Sequence, residues 1–591
     1  MRKRRVWRGI LLSLLLVLML SLPTGVWAQT AAKVPTSVHP GWSTDEGQVA
    51  HGKYGMVATA HPLASKVGAE VLKHGGNAVD AAVAIQFVLN VVEPQMSGIG
   101  GGGFMMVYDA KTKKVSIIDS RERAPQSARP DMFLDKNGQE IPFPVRSTQG
   151  YAVGIPGTLK GLQTALDKWG TKPMAELIQP AILLAERGVK VNWVLARDIA
   201  ACKERLSRSA AKDVFLPNGE PLKEGDLLVQ KDLAKTFRLI QAFGPDVFYH
   251  GKIGQALVQT VNAYGGHISM NDLKRYNVTV DKPLEADFHG YHLATMPPPS
   301  SGGVTIMYIL KLLEEKNAWQ TAIRSPERYH LMTEAMHLAY ADRGAYIGDP
   351  EFVDVPVQGM LDPRYIKERA ALIDPNKANS DVRPGDPWKY QQSGAPHQTV
   401  RQPDDNHIGQ TTHFTVADRW GNLVSYTTTI EQEFGTGIMV PGYGFMLNNE
   451  MTDFDAVPGG PNQAEPNKRP MSSMSPTIVF KDGKPVMTVG SPGGPTIIAS
   501  VFQVLMYKLV DGLDIKSAIE EPRIYSNKYP MILWEAGVPD AARERMTQMG
   551  HQFESSPQSI GNVQSIVIDP VTGAYTGAAD SSREGWAVGL N

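Results

Sequence analysis

The most informative stretch of this chain is Gln410-Thr411-Thr412-His413-Phe414-Thr415-Val416. It follows a polar segment, about residues 374–407, with few signs of regular structure, and it opens an alternating run typical of a β-strand. If the peptide bond before Thr411 is cleaved, the free α-amine of Thr411 lies beside its own hydroxyl and can act as general base. Without cleavage Thr411 is an ordinary strand residue, so the interpretation depends on partners elsewhere in the chain.

The composition is that of a globular protein with a large core. The chain has 591 residues, of which 42% are hydrophobic, and it contains 10 Trp and 19 Tyr. Length alone would suggest three or four domains, but length is a soft guide to domain number.

The N-terminal 28 residues have the pattern of a secretory signal peptide. Five basic residues precede a short apolar run over residues 10–22, and Val26-Trp27-Ala28 has the form of a cleavage site. A membrane anchor is the alternative, but the run is short for a bilayer span and is followed by Pro23 and Gly25. We expect cleavage after Ala28 and a secreted protein. No cysteine adjoins this site to carry a lipid anchor.

Charge and cysteine content exclude several classes of function. Removal of residues 1–28 leaves 54 basic and 60 acidic residues, a formal net charge of −6, which gives no electrostatic basis for binding nucleic acid or anionic membrane. Cys202 is the only cysteine, so neither an intramolecular disulfide nor a cysteine-based metal site is possible. We expect Cys202 to be a buried small apolar residue, because no adjacent motif supports catalysis.

The first part of the chain alternates short strands and helices. Residues 29–52 are polar and predict a loose segment, whereas residues 56–60 predict a strand, residues 61–73 a helix and residues 78–92 a fully buried helix. A glycine run, residues 98–103, precedes two strands at 104–109 and 115–119. No Gly-Lys-Ser/Thr and no helix follow the glycines, so they indicate close backbone packing and not a phosphate loop.

The middle of the chain, residues 154–373, predicts mainly helices. The pattern places them at 156–169, 174–187, 304–315, 326–342 and 363–372. His337 lies on one of them, but it has no partner four residues later that could share a metal. We therefore interpret His337 as a structural histidine and predict no metal and no organic cofactor.

After Thr411 the pattern changes to strands. Residues 414–417 and 423–430 predict one hairpin, and residues 477–480 and 485–489 predict another. Gly490-Ser491-Pro492-Gly493-Gly494 then precedes an apolar helix over 496–509. Unhindered glycine N–H groups beside a helix start can stabilise an oxyanion, so Gly493 and Gly494 are candidate donors; a simple turn is the alternative.

Several polar residues could bind a substrate, although each alone is more often a loop or surface residue. Hydroxyls or a guanidinium can hold a carboxylate, and acidic groups can hold an ammonium. The candidates for the carboxylate are Arg121, with Arg123 as an alternative, and the pair Ser472 and Ser473; those for the ammonium are Glu431, Glu450 and Asp453.

These motifs occur together in one known family. The whole chain after residue 28 resembles a bacterial γ-glutamyltransferase (γ-glutamyltranspeptidase), an N-terminal-nucleophile hydrolase. The resemblance covers about 530 residues, and its motifs stand in the family's order. They are residues 75–82, 98–103, 120–125, 298–303, 411–413, 434–437, 447–454, 466–477 and 490–494.

The resemblance implies a role for each candidate. The chain would cleave itself between Gln410 and Thr411, giving a large subunit (29–410) and a small subunit (411–591) that stay together. Thr411 would attack γ-glutamyl amides such as glutathione, and Thr429 would hydrogen-bond to its hydroxyl. Gly493 and Gly494 would form the oxyanion hole; Arg121, Ser472 and Ser473 would hold the α-carboxylate, and Glu431, Glu450 and Asp453 the α-ammonium. The acyl group would pass to water or to an amino acid or peptide.

Two departures from the family pattern bear on the substrate. Many relatives have Asn and Gln where this chain has Glu431 and Glu450, which makes the expected site more anionic. Many also have a longer loop over the pocket, whereas here residues 455–467 span only thirteen positions. The chain is therefore similar to the subgroup without a lid, and we expect an open cleft that admits bulky donors, among them γ-linked polyglutamate.

The implied fold is an α+β, four-layer αββα sandwich, with two mainly antiparallel sheets shared by both subunits. Two other functions stay open. One is a related acylase acting on β-lactam side chains or polyglutamate, against which Arg121 and the two serines favour a free amino-acid head group. The other is a non-catalytic amino-acid-binding protein. It would run as one chain of roughly 62 kDa, whereas the enzyme would give fragments of roughly 41 and 20 kDa.

Overall fold

The computed structural model describes residues 42–396 and 409–591. The predicted signal peptide and residues 29–41 lie outside these ranges, as does the part of the polar segment from 397 to 408. Within the described ranges, no helix combines the length and the apolar character that a bilayer span requires.

Two antiparallel sheets form the centre of the molecule. The first has eight strands, and its hydrogen-bonded neighbours run antiparallel throughout. Its strands, in spatial order, are Thr44–Gly47, Trp586–Leu590, Gly55–Thr59, Thr411–Asp418, Leu423–Thr429, Gly102–Asp109, Lys114–Asp119 and Thr279–Asp281.

The second sheet has seven strands and is also antiparallel throughout. In spatial order they are Val49–Gly52, Tyr575–Ala579, Gln564–Ile568, Lys484–Gly490, Thr477–Lys481, Tyr291–Thr295 and Leu284–Phe288. Two small sheets complete the strands: Ile524–Tyr525 with Met531–Trp534 and Gln552–Phe553, and Val189–Lys190 with Leu227–Leu228.

The alternation of the strand Thr411–Asp418 places this strand between two layers. Phe414 and Val416 join a core with the helices Pro62–Lys73 and Ala78–Val92. Thr415 points the other way, and its hydroxyl lies 2.6 Å from that of Thr488 in the second sheet. Because successive side chains of a strand point to opposite faces, one strand packs against helices on one side and a sheet on the other.

The second sheet is covered by its own helices, which completes the four-layer αββα arrangement that the resemblance implies. The helices Gly302–Glu315, Pro326–Tyr346 and Thr496–Leu509 share one buried core with both sheets. The remaining α-helices are Phe143–Arg146, Thr158–Trp169, Met174–Leu177, Gln179–Arg187, Trp193–Ala201, Lys203–Ser207, Ala211–Phe215, Lys231–Phe243, Asp246–Tyr249, Lys252–Ala263, Met270–Arg275, Val357–Leu361, Pro363–Ala370, Ile515–Glu520 and Asp540–Gln548, and the 3₁₀ turns are Gly150–Ala152, Pro217–Gly219, Ala318–Gln320, Pro387–Tyr390 and Glu450–Asp453.

Two expectations about elements were wrong. The predicted helix at 174–187 is two helices that meet at Ile178, since Pro180 has no N–H to continue the first one. The segment 29–52 is not loose throughout, because Thr44–Gly47 and Val49–Gly52 each pair at a sheet edge. The middle of the chain is mainly helical, as predicted, but it also contains a hairpin from 284 to 295. The hairpin turns at His289-Gly290, where both φ angles are positive.

The segments on the two sides of residue 410 cannot form separate domains. Thr411–Asp418 lies between Gly55–Thr59 and Leu423–Thr429, and the latter pairs with Gly102–Asp109. Strands from before and after residue 410 also share the second sheet. Each of the two central sheets therefore contains strands from both segments.

Candidate active site

Thr411 is the first residue of its strand and is 3% exposed. It lies directly opposite Thr429 in the antiparallel register. Its hydroxyl donates a hydrogen bond to Oγ1 of Thr429 at 3.2 Å. The predicted partnership of these two threonines is therefore present in the structure.

Thr429 connects the nucleophile candidate to the bond before it. The Thr429 hydroxyl donates to the carbonyl oxygen of Gln410 at 2.9 Å and accepts from the Glu431 N–H at 2.8 Å. The Gln410 N–H in turn donates to the Glu431 carbonyl at 2.6 Å. Glu431 has a φ of 78°, a conformation that costs energy for a side chain with a Cβ and that persists only where its surroundings fix it.

Arg583 is a site residue that the sequence analysis missed. Its Nη1 donates to the carbonyl oxygen of Thr411 at 2.8 Å, and its Nη2 donates to Oε1 of Gln410 at 2.7 Å. One largely buried guanidinium, 8% exposed, therefore holds residues on both sides of the 410–411 bond. Nothing in the local sequence identifies it, because Arg583 lies in a loop 172 residues after Thr411.

A single cleft collects nearly all of the predicted site residues. Gly493 and Gln410 stand beside it, each next to a residue that lines it. The predicted residues that line the cleft are Arg121, Thr411, Thr429, Glu431, Glu450, Asp453, Ser472, Ser473 and Gly494.

The glycine pair has the geometry expected of backbone donors. Gly493 and Gly494 have φ angles of 128° and 54°, which favour glycine, and a Cβ on Gly493 would collide with Oγ1 of Thr496. Their carbonyls accept bonds from the first turn of the helix Thr496–Leu509. Within the described ranges neither glycine N–H has an acceptor, so both can donate to a substrate.

Arg121 and not Arg123 faces the cleft. The Arg121 guanidinium is 1% exposed and forms ion pairs with Glu450 and, at 2.6 Å, with Asp453. Arg123 points elsewhere and pairs with Glu351 at 3.0 Å. The nearby carboxylates raise the pKa of Arg121 further against the opposing effect of its burial, so the guanidinium stays charged.

Two buried carboxyl groups give the cleft an unusual electrostatic character. Burial raises the pKa of Glu431 well above its ordinary value, and the charge of Asp453 adds to this shift. Burial also raises the pKa of Glu450, opposed by Arg121. One oxygen of each, Oε2, has no hydrogen-bond partner among the described residues. A buried acidic oxygen without a partner favours a bound cationic group.

Ser472 and Ser473 each accept a hydrogen bond that orients the side chain, and each hydroxyl can still donate its own hydrogen. Ser472 Oγ accepts from the Met474 N–H at 3.1 Å, and Ser473 Oγ accepts from Nη2 of Arg343 at 2.9 Å. A hydroxyl that accepts one bond can still donate its own hydrogen, so both serines can bind a carboxylate. Arg343, which also lines the cleft, was missed because it lies in the last turn of the long helix Pro326–Tyr346 with no local motif.

Cys202 lies outside the cleft. Cys202 is partly buried against the core that contains Phe414 and Val416, and its thiol lies 3.8 Å from the carbonyl oxygen of Glu433. Burial raises the pKa of this thiol to about 12, so it is not a nucleophile at neutral pH.

Comparisons with known proteins agree with this geometry. A sequence model of the family described as gamma-glutamyltranspeptidase matches residues 64–590. The chain is 59% identical over 588 residues to the glutathione hydrolase proenzyme of Bacillus subtilis strain 168, covering 100% of this chain and 99% of that protein.

Solved structures of an acylase and of a γ-glutamyltranspeptidase are similar to this chain. A cephalosporin acylase from Bacillus halodurans superposes with a TM-score of 0.81 at 26% identity, covering 92% of this chain and 97% of the acylase. A γ-glutamyltranspeptidase from Helicobacter pylori has a TM-score of 0.54 at 39% identity, covering 57% of this chain and 96% of that one.

Proposed function

This chain belongs to the γ-glutamyltranspeptidase family and is a γ-glutamyltransferase and glutathione hydrolase, and we propose that it acts through Thr411 as an N-terminal nucleophile. The observation that carries this proposal is the position of Thr411. It begins a central strand, its hydroxyl is hydrogen-bonded to Thr429, and it faces the same cleft as Arg121 and Gly494.

The first reaction is cleavage of the chain's own backbone. The Thr411 hydroxyl oxygen attacks the carbonyl carbon of Gln410, the C–N bond breaks, and the hydroxyl proton passes to the departing nitrogen. Gln410 is then held as an ester on Thr411. Thr429, which already donates to that carbonyl oxygen, stabilises the charge that develops there. Water then hydrolyses the ester, leaving a carboxylate on Gln410 and a free amine on Thr411.

The products are a large subunit ending at Gln410 and a small subunit beginning at Thr411. They stay associated because strands of both share each central sheet. We also propose that the large subunit begins at residue 29 after removal of the signal peptide and that the heterodimer is secreted. No metal or organic cofactor has a role in this reaction scheme.

The second reaction transfers a γ-glutamyl group. The freed amine of Thr411 accepts the proton of its hydroxyl, and the oxygen attacks the γ-carbonyl of the donor. The Gly493 and Gly494 amides donate to the oxyanion, and the donor's amine leaves with a proton. Water or the amine of an amino acid or peptide then takes the acyl group, so we expect ping-pong kinetics.

The charge pattern of the cleft favours an α-amino-acid head group. Glu431, Glu450 and Asp453 would surround the ammonium, and Arg121 with the two serines would bind the carboxylate. A ligand ammonium would also fill the hydrogen-bonding capacity of the buried Oε2 atoms of Glu431 and Glu450.

The test compares wild type with Thr411→Ala and with Thr411→Ser, which keeps a hydroxyl. We expect wild type to give two bands and to hydrolyse γ-glutamyl-p-nitroanilide. Thr411→Ala should stay one chain and be inactive, and Thr411→Ser should cleave slowly and retain some activity. An active Thr411→Ala protein, or a wild type that is active while uncut, would overturn the proposal.

An acylase of the same superfamily is the second candidate, because the cephalosporin acylase shares the fold. The same assay with glutaryl-p-nitroanilide distinguishes the two. A γ-glutamyltransferase should discriminate against the glutaryl compound, which lacks the ammonium, and an acylase should not. If the chain were instead a non-catalytic amino-acid-binding protein, wild type would stay one uncut chain and would be inactive in both assays.

The short loop after Phe454 supports a broad range of donors. Asp455 and Asn462 line the cleft and bind each other across the loop, with the Asp455 N–H donating to the Asn462 carbonyl at 3.0 Å. The loop thus folds back on itself at the rim. We propose that γ-linked polyglutamate can enter. Negligible activity on the polymer beside that on glutathione would contradict this.

A further inference from the structure

A buried histidine cluster lies apart from the residues of the catalytic cleft named above. The long helix Pro326–Tyr346 places His330, Glu334 and His337 on one face, at intervals of four and three residues. His551, which follows the helix Asp540–Gln548, approaches them from the C-terminal segment. All four side chains are between 0% and 2% exposed.

Hydrogen bonds at the outer edge of the cluster fix two of the rings. Nε2 of His330 lies 2.7 Å from the carbonyl oxygen of Asp374 and must donate to it. Nε2 of His337 lies 2.8 Å from Oγ of Ser526, whose hydroxyl donates to the Met531 carbonyl at 2.6 Å. Both rings therefore direct the lone pair of Nδ1 inwards when neutral.

The carboxylate of Glu334 is only half satisfied. Its Oε2 accepts from the Asn379 N–H at 3.0 Å, whereas Oε1 has no hydrogen-bond partner among the described residues. Nδ1 of His337, 3.6 Å from that oxygen, is also without one. A buried carboxylate oxygen and an inward lone pair at this distance repel each other unless a proton or a cation lies between them.

The distances fit a small divalent cation. Nδ1 of His330 is 2.8 Å from Nε2 of His551, and Nε2 of His551 is 3.9 Å from Oε1 of Glu334. These three atoms lie within 4.8 Å of one another. Tetrahedral zinc with bonds near 2.1 Å needs ligand atoms about 3.4 Å apart, so the first two distances each differ from that spacing by roughly half an ångström.

We propose that His330, Glu334 and His551 bind one zinc ion, with His337 beside the remaining coordination position. Two imidazoles and a carboxylate are a donor set that zinc favours. The Asp374 carbonyl on His330 and the Asn379 amide on Glu334 are the outer-shell partners that such ligands have.

The site would join the two segments of the chain. His330 and Glu334 precede residue 410, and His551 follows it, so the ion would bridge the subunits that the proposed self-cleavage creates. This bridging role rests on the proposed function, but zinc binding itself does not. The uncut Thr411→Ala chain should bind zinc as wild type does.

Zinc binding can be measured on the full chain. Purified protein is stripped with a chelator, dialysed and titrated with Zn²⁺ against a chromophoric chelator, and Co²⁺ is used as a spectroscopic probe. We expect about one Zn²⁺ per chain, visible Co²⁺ absorption of the tetrahedral type and a higher Tm with zinc than with magnesium.

His551→Gln tests the assignment, with His292→Gln as the matched control, since His292 is exposed and pairs with Asp287 at 2.9 Å. We expect His551→Gln to weaken zinc binding at least about a hundredfold and His292→Gln to leave it unchanged. If His551→Gln does not fold, the zinc stoichiometry and the Co²⁺ absorption spectrum of wild type show whether the site exists. Wild type without stoichiometric zinc, or equal affinity in both variants, would overturn the proposal and leave a proton shared by Glu334 and His337.

Discussion

Arg583 donates a hydrogen bond to the carbonyl oxygen of Thr411 at 2.8 Å. Its second bond, to the side chain of Gln410, means that one guanidinium fixes the residues on both sides of the proposed cleavage site. Attack by the Thr411 hydroxyl requires the Gln410 carbonyl to be held in a defined orientation, because misplacement of reacting atoms by an ångström can cost a hundredfold in rate.

We expect Arg583→Ala to slow self-cleavage. Loss of both hydrogen bonds should let the 410–411 bond leave its orientation and reduce the cleavage rate about ten- to a hundredfold. A gel time course after purification measures it. Arg419→Ala, at an exposed hairpin turn, is the control. Wild-type cleavage in Arg583→Ala would show that the Arg583 contacts do not orient the bond.

The hydroxyl of Thr429 is the next test. Thr429→Val keeps the side-chain shape but removes the donor to Gln410 and leaves the Glu431 N–H without its acceptor. We expect cleavage to slow about tenfold to a hundredfold, since such a bond is worth about 1.5–3 kcal/mol when charge develops on the acceptor. Thr429→Ser, which keeps the hydroxyl, should remain close to wild type. Equal rates for the two variants would remove the hydroxyl from the mechanism.

Gly494→Ala should lower kcat about 10²- to 10³-fold, the usual cost of losing an oxyanion donor. Alanine is strained at the Gly494 φ of 54° and would displace the backbone of a residue that lines the cleft. Gly573→Ala is a matched control, because Gly573 has a φ of 73° in an exposed turn with open space around it. Steady-state kinetics on the cleaved enzymes gives kcat. Similar losses in both variants would point to backbone strain alone.

The buried acids predict a pH dependence of substrate binding. Because burial raises the pKa values of Glu431 and Glu450, both groups gain protons at a higher pH than ordinary glutamates. A neutral carboxyl group binds an ammonium less well, so KM for γ-glutamyl-p-nitroanilide should rise as the pH falls through these raised values. This prediction concerns substrate binding and not the free energy of unfolding.

Glu450→Gln removes one of the two titrating groups and should flatten the rise in KM. Glu544→Gln, on an exposed face of the helix Asp540–Gln548, should leave the wild-type profile unchanged. Identical profiles in wild type and Glu450→Gln would show that Glu450 does not contact the ammonium.

Local sequence patterns were enough to predict the helices whose ends are marked by a capping residue or a turn. The helices Ala78–Val92 and Thr496–Leu509 agree with the predicted bounds, since a capping Asn77 and a glycine turn mark where they begin. The hairpin Leu284–Phe288 and Tyr291–Thr295 was missed because its alternation is weak and its residues sit within a helical region.

Some site residues could likewise be predicted from local motifs, whereas others could not. Thr411, Gly493 and Ser472 stand in recognisable motifs, so the sequence could nominate them. Arg343 and Arg583 stand in no motif, and only the packing of distant elements brings them to the cleft and to the 410–411 bond. His551 likewise meets His330 across 221 residues.

The sequence alone was enough to recognise the family, because the identity and order of motifs are local properties of a chain. The layered fold and the proposed nucleophile then followed from that resemblance. Only the tertiary structure shows that Arg121 faces the cleft and that Arg583 hydrogen-bonds to the residues on both sides of the 410–411 bond. It also shows which buried carboxylate oxygens have no hydrogen-bond partner among the described residues. Those facts depend on contacts between residues far apart in sequence, whose geometry is set by how sheets and helices pack and not by any local pattern.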